Sequence, residues 1–547
     1  MLTRESLSTD VLVIGSGVAG TMAALEAGRG GARVVLVSKA GLGKEASTAY
    51  ALAAFQSRHL QSKLDLPGYD SKPGKYIEDP AVVEAVDKEA LNCIHLIENL
   101  GVPMLSENGY DGVTKVYRPV GSDQGHGGAI ILNVLGALLR SDGVRVVEDC
   151  LITGLLKEDR NIIGASGLRD DGRWLSIFSK ATIVATGGAA GIYQNTTTSK
   201  SVLGDGYALA LQAGAILSNL EFIHFYPVGL STPGGQYVHC APGTLLMEKA
   251  RIINSKGEDI IQKHYHITLQ EGTIPSSTRF EWLPRAVAME AEEGPVLLDL
   301  TQVPTRAWEK LPERNHKQIR RSGTDMRVKP VPILHMGHSF RGGIPIDARG
   351  RTSMPGLYAA GEVTSGYFAA ESGWGPFPSC LITGAIAGRS AAADLDKAGP
   401  AGERKSIKDG LDQIGALVKK EGNQRASELQ EQIRQICYRS AGPVKTGPLL
   451  EEGLNMLKPL EEAAHHLRYE NIADLKGVIE TKAMLSVGRA VMEVTLFRKE
   501  SRGAHYRKDF PKRDDRNWLR PVLVSYDAAS QQINVEAGKK LTYLKGG

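Results

Sequence analysis

Gly15, Gly17 and Gly20 stand as G-x-G-x-x-G directly after the apolar run Val11 to Ile14, in "DVLVIGSGVAGTMAALEAGRGGARVVLVSK". The chemistry that such spacing serves is phosphate binding. The first glycine permits a tight turn and the second lets the backbone approach a pyrophosphate. The third allows a helix to pack close to the sheet while its N-terminus faces the negative charge. The triplet alone is common. Here a helical stretch and a second strand, Val34 to Val37, follow it, which is the order a dinucleotide cradle requires. That strand ends in Ser38-Lys39, where a nicotinamide-binding fold carries an acid for the ribose hydroxyls, so NAD is disfavoured.

The elements that must hold this cradle recur downstream. "ATIVATGG" (Ala181 to Gly188) and "GLYAAGEVTSG" (Gly356 to Gly366) are apolar strands running into small residues, the second with Glu362 just past its end. Three strand ends so far apart in sequence predict one sheet interrupted by an insertion, with a large cofactor along its edge. At 547 residues there is room for about two or three domains and a large core. A net charge of +4 on so long a chain gives no whole-protein case for nucleic acid. The five cysteines lie far apart with no C-x-x-C, which argues against a thiolate-ligated cluster in the chain and for a reducing compartment. No leader pattern precedes Val11 and no run of about 18 apolar residues occurs, so no transmembrane segment is expected and a cytoplasmic location is.

Taken together, these motifs resemble the flavoprotein subunits of succinate dehydrogenase and fumarate reductase, L-aspartate oxidase and the adenylylsulfate reductase alpha subunit. The G-x-G-x-x-G, Ser-Lys, "AST" at 46–48, "ATGG", "GDG" at 204–206, "GLYAAGE" and "RKESRGAHYRKDFPKRDDRNWL" (Arg498 to Leu519) follow that family's order over nearly the whole chain. The resemblance implies FAD. It assigns the pyrophosphate to the glycine turn, Gly15, Ser16, Gly17, Val18, Ala19 and Gly20, and the adenosine end to Ser38 and Lys39. The flavin falls to the 47–54 segment with Ser47, Thr48, Ala53 and Ala54, and further cofactor contacts to Ile152, Ala185, Thr186, Gly187, Asp205, Glu362, Cys380 and Leu381. Some relatives carry a flavin-linked histidine where this chain has Ser47. Serine is not that attachment residue, so the FAD is expected to be non-covalent.

For the substrate, the family pattern implies two arginines and two histidines. Leu283-Pro284-Arg285 keeps the first arginine, whose guanidinium can clamp a carboxylate in bidentate fashion and, in the family, moves the proton opposite the hydride. The bland alternative is a helix-start arginine on the surface. His338, four residues before Gly342-Gly343-Ile344, keeps one histidine, for a substrate anion or a flavin carbonyl, against a core histidine with satisfied hydrogen bonds. Glu248 matches an acidic position, though Met247 precedes it in place of threonine and an exposed glutamate reads equally well.

The other positions depart from the pattern. In "LEFIHFYPVGL", Tyr226 stands where the family has the histidine of His-Pro-Thr, and His224 where it has glutamine. In an extended segment the two share a face, so either they line the pocket in altered order or both pack in the core. The second arginine is missing between Ala369 and Gly388. At about 1.5–3 kcal/mol per charged hydrogen bond, a C4 dicarboxylate would lose about tenfold or more in affinity. Arg341 is a candidate replacement, against a solvated arginine.

The expected fold is α/β: a discontinuous Rossmann-like FAD-binding domain (1–225 and 340–400) with an inserted α+β capping domain (226–339). A helical domain (401–500, with "GLDQIGALVKK" in the helical pattern) and a C-terminal tail (501–547) complete it. The basic stretch 498–516 reads as a solvated or domain-joining face. The expected function is an FAD-dependent oxidoreductase acting on a small anionic substrate by hydride or two-electron transfer at flavin N5, working with an iron–sulfur partner that brings the clusters. The alternatives are an adenylylsulfate-reductase-like flavoprotein, toward which "GHSFRGGI" and "NSKGED" lean, and an electron-transfer protein without substrate chemistry of its own.

Overall fold

The computed structural model describes residues 3–57, 77–90, 93–108, 115–122, 126–233, 237–239, 248–265, 281–311, 313–365, 375–397, 424–530 and 532–541. The "GLDQIGALVKK" segment lies outside them.

Runs of Val, Ile and Leu too continuous for a half-exposed strand form the centre of a seven-stranded sheet, buried on both faces. Its order is Arg145–Val147, Val34–Val37, Thr3–Ile14, Arg173–Val184, Asn161–Arg169, Cys150–Glu158, with Leu357–Ala359 paired to Arg173–Val184. The register is parallel where it matters. Ile14 lies opposite Val37 and Val184, and Ala359 opposite Val184. The three strand ends read from the sequence therefore finish side by side at one edge, where open α/β sheets take their ligands.

Helix Val18–Arg29 covers this sheet and is itself packed against helix Pro376–Ala393. Gly384 and Gly388 make that contact possible. A Cβ on either would sit 2.3 Å from the carbonyl oxygen of Ala19 or Ala23.

A second, antiparallel sheet runs Tyr237–His239, Ile223–Ser231, Val331–Phe340, Val296–Asp299, Arg251–Ile253. It has its own apolar core, including Tyr226, Leu283, Val287 and Met336, with helix Leu283–Ala291 against it. Two irregularities interrupt its central pairing. His224 pairs with Ser339 but Phe225 with Gly337, so His338 is left over as a bulge. Pro227, which has no N–H to give to the ladder, falls in the second slip, between Tyr226 and Gly229. Bulges re-aim the side chains they carry.

Helices Ala426–Ser440, Gly447–Ala463 and Ile472–Phe497 pack together, and a hairpin, Val522–Asp527 with Gln532–Ala537, joins Leu217–Ser218. The chain is thus α/β, with a Rossmann-like domain, an inserted α+β cap and a helical C-terminal region. The basic stretch at 498–516 is divided: Lys499, Lys508, Lys512 and Arg516 are exposed, and three arginines turn inward. Arg498, Arg502 and Arg507 are buried, and Arg498 donates to Glu221 at 2.6 Å and Glu500 at 3.0 Å. Those bonds tie the C-terminal region to the residues just ahead of strand Ile223–Ser231. The stretch joins domains.

Candidate active site

At the sheet edge the glycine turn leaves no room for side chains. Gly15 has φ +109° and a Cβ there would lie 2.3 Å from Ala185 O; one on Gly20 would lie 1.9 Å from Gly15 O. The Ser16 and Ser38 hydroxyls are 2.6 Å apart, and Ser16 Oγ accepts from Gly43 N–H at 3.0 Å. Val18 N–H donates to Thr48 Oγ1 at 3.1 Å, so the 47–54 segment is anchored on the N-terminus of the cradle helix. Ser47–Tyr50 forms one helical turn, and buried Ala53 adopts φ +52°, a conformation uncommon for a residue with a Cβ.

That segment rests on Gly127-Gly128, which sequence reasoning missed. A Cβ on Gly128 would meet Thr48 O at 1.9 Å and one on Gly127 would meet Leu52 O at 2.4 Å. The signal was a glycine pair opening a helix.

The remaining cofactor candidates gather at the same edge. Lys39 Nζ lies 3.0 Å from Asp205 and 2.6 Å from Glu480. Burial works to lower its pKa, but the two carboxylates outweigh this and hold it raised. Glu480, from helix Ile472–Phe497, was not foreseen. Thr186 Oγ1 is buried without a hydrogen-bond partner among the described residues, next to Gly187 at φ +81°. Ile152 and Leu381 are buried apolar walls. Glu362 Oε1 accepts from Phe340 N–H at 2.9 Å and lies over Gly188, where a Cβ would be 2.2 Å from it. Burial pushes the Glu362 carboxyl up to about 7, against the pull of the Phe340 N–H and Arg341. Burial likewise raises the Cys380 thiol. A cradle with no space for a Cβ, clustered hydroxyls and one orphaned hydroxyl fit a dinucleotide cofactor.

The substrate candidates divide into groups. His338 Nδ1 is 2.7 Å from Thr197 Oγ1, and its ring is 5.8 Å from that of Tyr226. Tyr226 is buried among the apolar residues of the cap. His224, also buried, accepts at Nδ1 from Arg341 at 2.7 Å. Arg341 is buried and not solvated. Arg285, in the first turn of helix Leu283–Ala291, donates to Gly503 O and lies 4.8 Å over the Tyr506 ring. Its helix packs on the two strands that carry His224, Tyr226 and His338. Glu248 stands apart. It ion-pairs with Arg306 at 2.7 Å, and no contact joins it to Arg285 or His338 among the described residues.

Comparison with known proteins agrees with the fold. Residues 10–376 match the FAD binding domain family, and residues 430–543 match the fumarate reductase flavoprotein C-terminal family. The fumarate reductase (CoM/CoB) of Methanothermobacter marburgensis has one component that is 28% identical, over 97% of this chain and 100% of its own length. The E. coli quinol fumarate reductase superimposes with a TM-score of 0.86 at 22% identity, over 99% of this chain and 98% of that one. Adenylylsulfate reductase from Archaeoglobus fulgidus shares the fold at a TM-score of 0.75 and 20% identity, over 100% of this chain and 98% of that one.

Proposed function

The chain belongs to the succinate dehydrogenase and fumarate reductase flavoprotein family of FAD-dependent oxidoreductases, and on that footing we propose that it exchanges two electrons with a small anionic substrate. The observation that carries this is the setting of Arg285. Its guanidinium is fixed on one side by Gly503 O and the Tyr506 ring, on the helix that backs the His224–Tyr226 wall.

When bound, FAD supplies the hydride acceptor or donor of the reaction. Ser16, Thr48, Thr186 and Glu362 would hold its polar groups, with the glycine turn against its pyrophosphate. The chain's own residues do the rest. Arg285 has donors beyond the one spent on Gly503, so it can clamp a carboxylate and pass a proton to or from the substrate carbon. His338, held by Thr197, and Tyr226 orient the anion. The Arg341–His224 pair places a buried positive charge at the junction of cap and sheet. Cap and C-terminal segment close over these groups and exclude water.

In this reading the FAD is non-covalent, because Ser47 occupies the attachment position; flavin that stays with the chain through acid or SDS denaturation would contradict it. A cluster-bearing partner carries the electrons onward. In support, the five cysteines are dispersed, and a relative of matching length is named as one component of an assembly. The test of the catalytic assignment is Arg285→Ala. It should keep its FAD and lose electron exchange with any anion that reacts with the wild type; unchanged flavin kinetics would overturn the role.

A further inference from the structure

Ser339, in strand Val331–Phe340, is only 7% exposed, and its hydroxyl has no hydrogen-bond partner among the described residues. A buried hydroxyl in that state has given up its bonds to water and gained none in return. Such groups are rare in folded proteins, and each asks what it is kept for.

The strand pairing shows which way the hydroxyl points. Ser339 lies directly opposite His224, and side chains so opposed stand on one face of a sheet, about 5 Å apart at Cβ. Arg341, two residues on, shares that face, since it reaches His224 Nδ1 at 2.7 Å. The residues between point the other way. Phe225 and Phe340 both turn to Tyr193, with ring centroids 5.2 and 6.4 Å from it, inside the core of the FAD-binding domain. Further along the Ser339 face, Tyr226 and Met336 pack with Leu283 and Val287 of the helix that carries Arg285 in its first turn. Ser339 therefore belongs to the wall of His224, Tyr226 and His338, on the side of the sheet that the Arg285 helix covers. Its neighbours there are engaged, Arg341 with His224 and His338 with Thr197.

We propose that Ser339 is a specificity-determining residue: its hydroxyl bonds an uncharged oxygen, hydroxyl or carbonyl, that the substrate carries beside its anionic group. The proposal rests on the reading of Arg285 as anion clamp. A guanidinium takes the carboxylate by its charge, whereas a serine is neutral and both donates and accepts, so it responds to the substituent and not to the charge. An acid that lacks the oxygen leaves the hydroxyl orphaned in the complex as well, which is how a buried polar group rejects the wrong ligand.

The test compares acids of equal charge that differ only in a keto oxygen: pyruvate with propionate, and 2-oxoglutarate with glutarate. Each is titrated into the full-length, FAD-loaded protein, and binding is read from perturbation of the oxidised flavin spectrum. The wild type should bind the oxo acid about tenfold more tightly than its plain partner, the effect of one hydrogen bond. Ser339→Ala should bring the oxo acid down to the level of the plain acid and leave the plain acid unchanged. Its apoprotein should melt no lower than the wild-type apoprotein, because the hydroxyl removed makes no bond inside the protein. A wild type that binds the two acids alike, or a Ser339→Ala variant that keeps the tenfold ratio, overturns the role of Ser339 while the small-anion reading stands. A lowered melting temperature would assign the hydroxyl to the fold, and a shifted flavin spectrum without ligand would assign it to the cofactor; either overturns the proposal. If no small anion perturbs or reduces the wild-type flavin, the small-anion reading falls and the proposal with it.

Discussion

Arg341 donates to Nδ1 of His224 across 2.7 Å, between residues 117 positions apart in the chain. A guanidinium has only donors, so His224 Nδ1 must be the unprotonated nitrogen and the ring can carry its proton only on Nε2. His224 is thereby held neutral, as an N–H donor. Replacing Arg341 by Met removes the positive charge of the pair. Anion binding, read from the oxidised flavin spectrum, should then weaken by about tenfold, the effect of one charge pair. Unchanged binding would mean that the Arg341–His224 pair does not face the anion.

Glu362 makes the protein sensitive to pH before cofactor is bound. Its carboxyl is raised by burial from 4.5 to about 7, so between those values the folded apoprotein holds a proton that the unfolded chain has lost. The contribution of this group to stability is full below 4.5 and disappears as pH rises through 7. Glu362→Gln should flatten that decline in melting temperature and melt above the wild-type apoprotein at pH 7.5. The same variant should release FAD more readily on gel filtration.

Gly20→Ala tests the cradle. The new Cβ would lie 1.9 Å from Gly15 O, a backbone atom that cannot swing away. Overpacking of this kind costs about 1–3 kcal/mol, and here it falls on the turn that must approach the pyrophosphate. The variant should fold, with a lowered melting temperature, and elute without its yellow cofactor.

Arg498 and Glu221 are both fully buried and share a bond of 2.6 Å. Breaking such a pair from one side leaves a charge stranded in the interior, at about 3–5 kcal/mol. Arg498→Met should therefore be severely destabilised in urea unfolding. Adding Glu221→Gln to Arg498→Met should recover part of the loss, although the Arg498 bonds to Glu500 and the carbonyls of Trp518 and Arg520 remain missing.

The sheet edge was legible because its signals are local. "VLVIGSG", "VVLVSK", "ATGG" and "YAAGE" each pair a buried strand with the small residues that follow it, and parallel pairing brings the four together. Arg285 and His338 were read from the family pattern, by their places after Pro284 and four residues before Gly342-Gly343. What escaped was tertiary. Ser339 is one serine in a strand, and nothing local says that its hydroxyl is buried without a partner. Glu480 reaches Lys39 from a helix more than four hundred residues downstream. The stretch 498–516 has the composition of a solvated surface, and only the buried carboxylates of Glu221 and Glu500 reveal Arg498 and Arg502 as an internal joint. His224 is read as a departure from a family pattern and Arg341 as a candidate replacement for the missing arginine; that the two bond one another needs the tertiary structure.

In the proposed site a small anion meets the flavin on the wall formed by His224, Tyr226 and His338, with Arg285 on the helix packed against the strands that carry them. Anaerobic titration of the flavin spectrum with succinate, fumarate, aspartate and adenylylsulfate tests it most directly, starting from both the oxidised and the reduced protein. At least one of these anions should bleach or restore the flavin band in the wild type and fail to do so in Arg285→Ala. A flavin indifferent to every small anion, yet reduced or reoxidised readily by an iron–sulfur protein, would contradict the claim and leave a carrier of electrons with no substrate of its own.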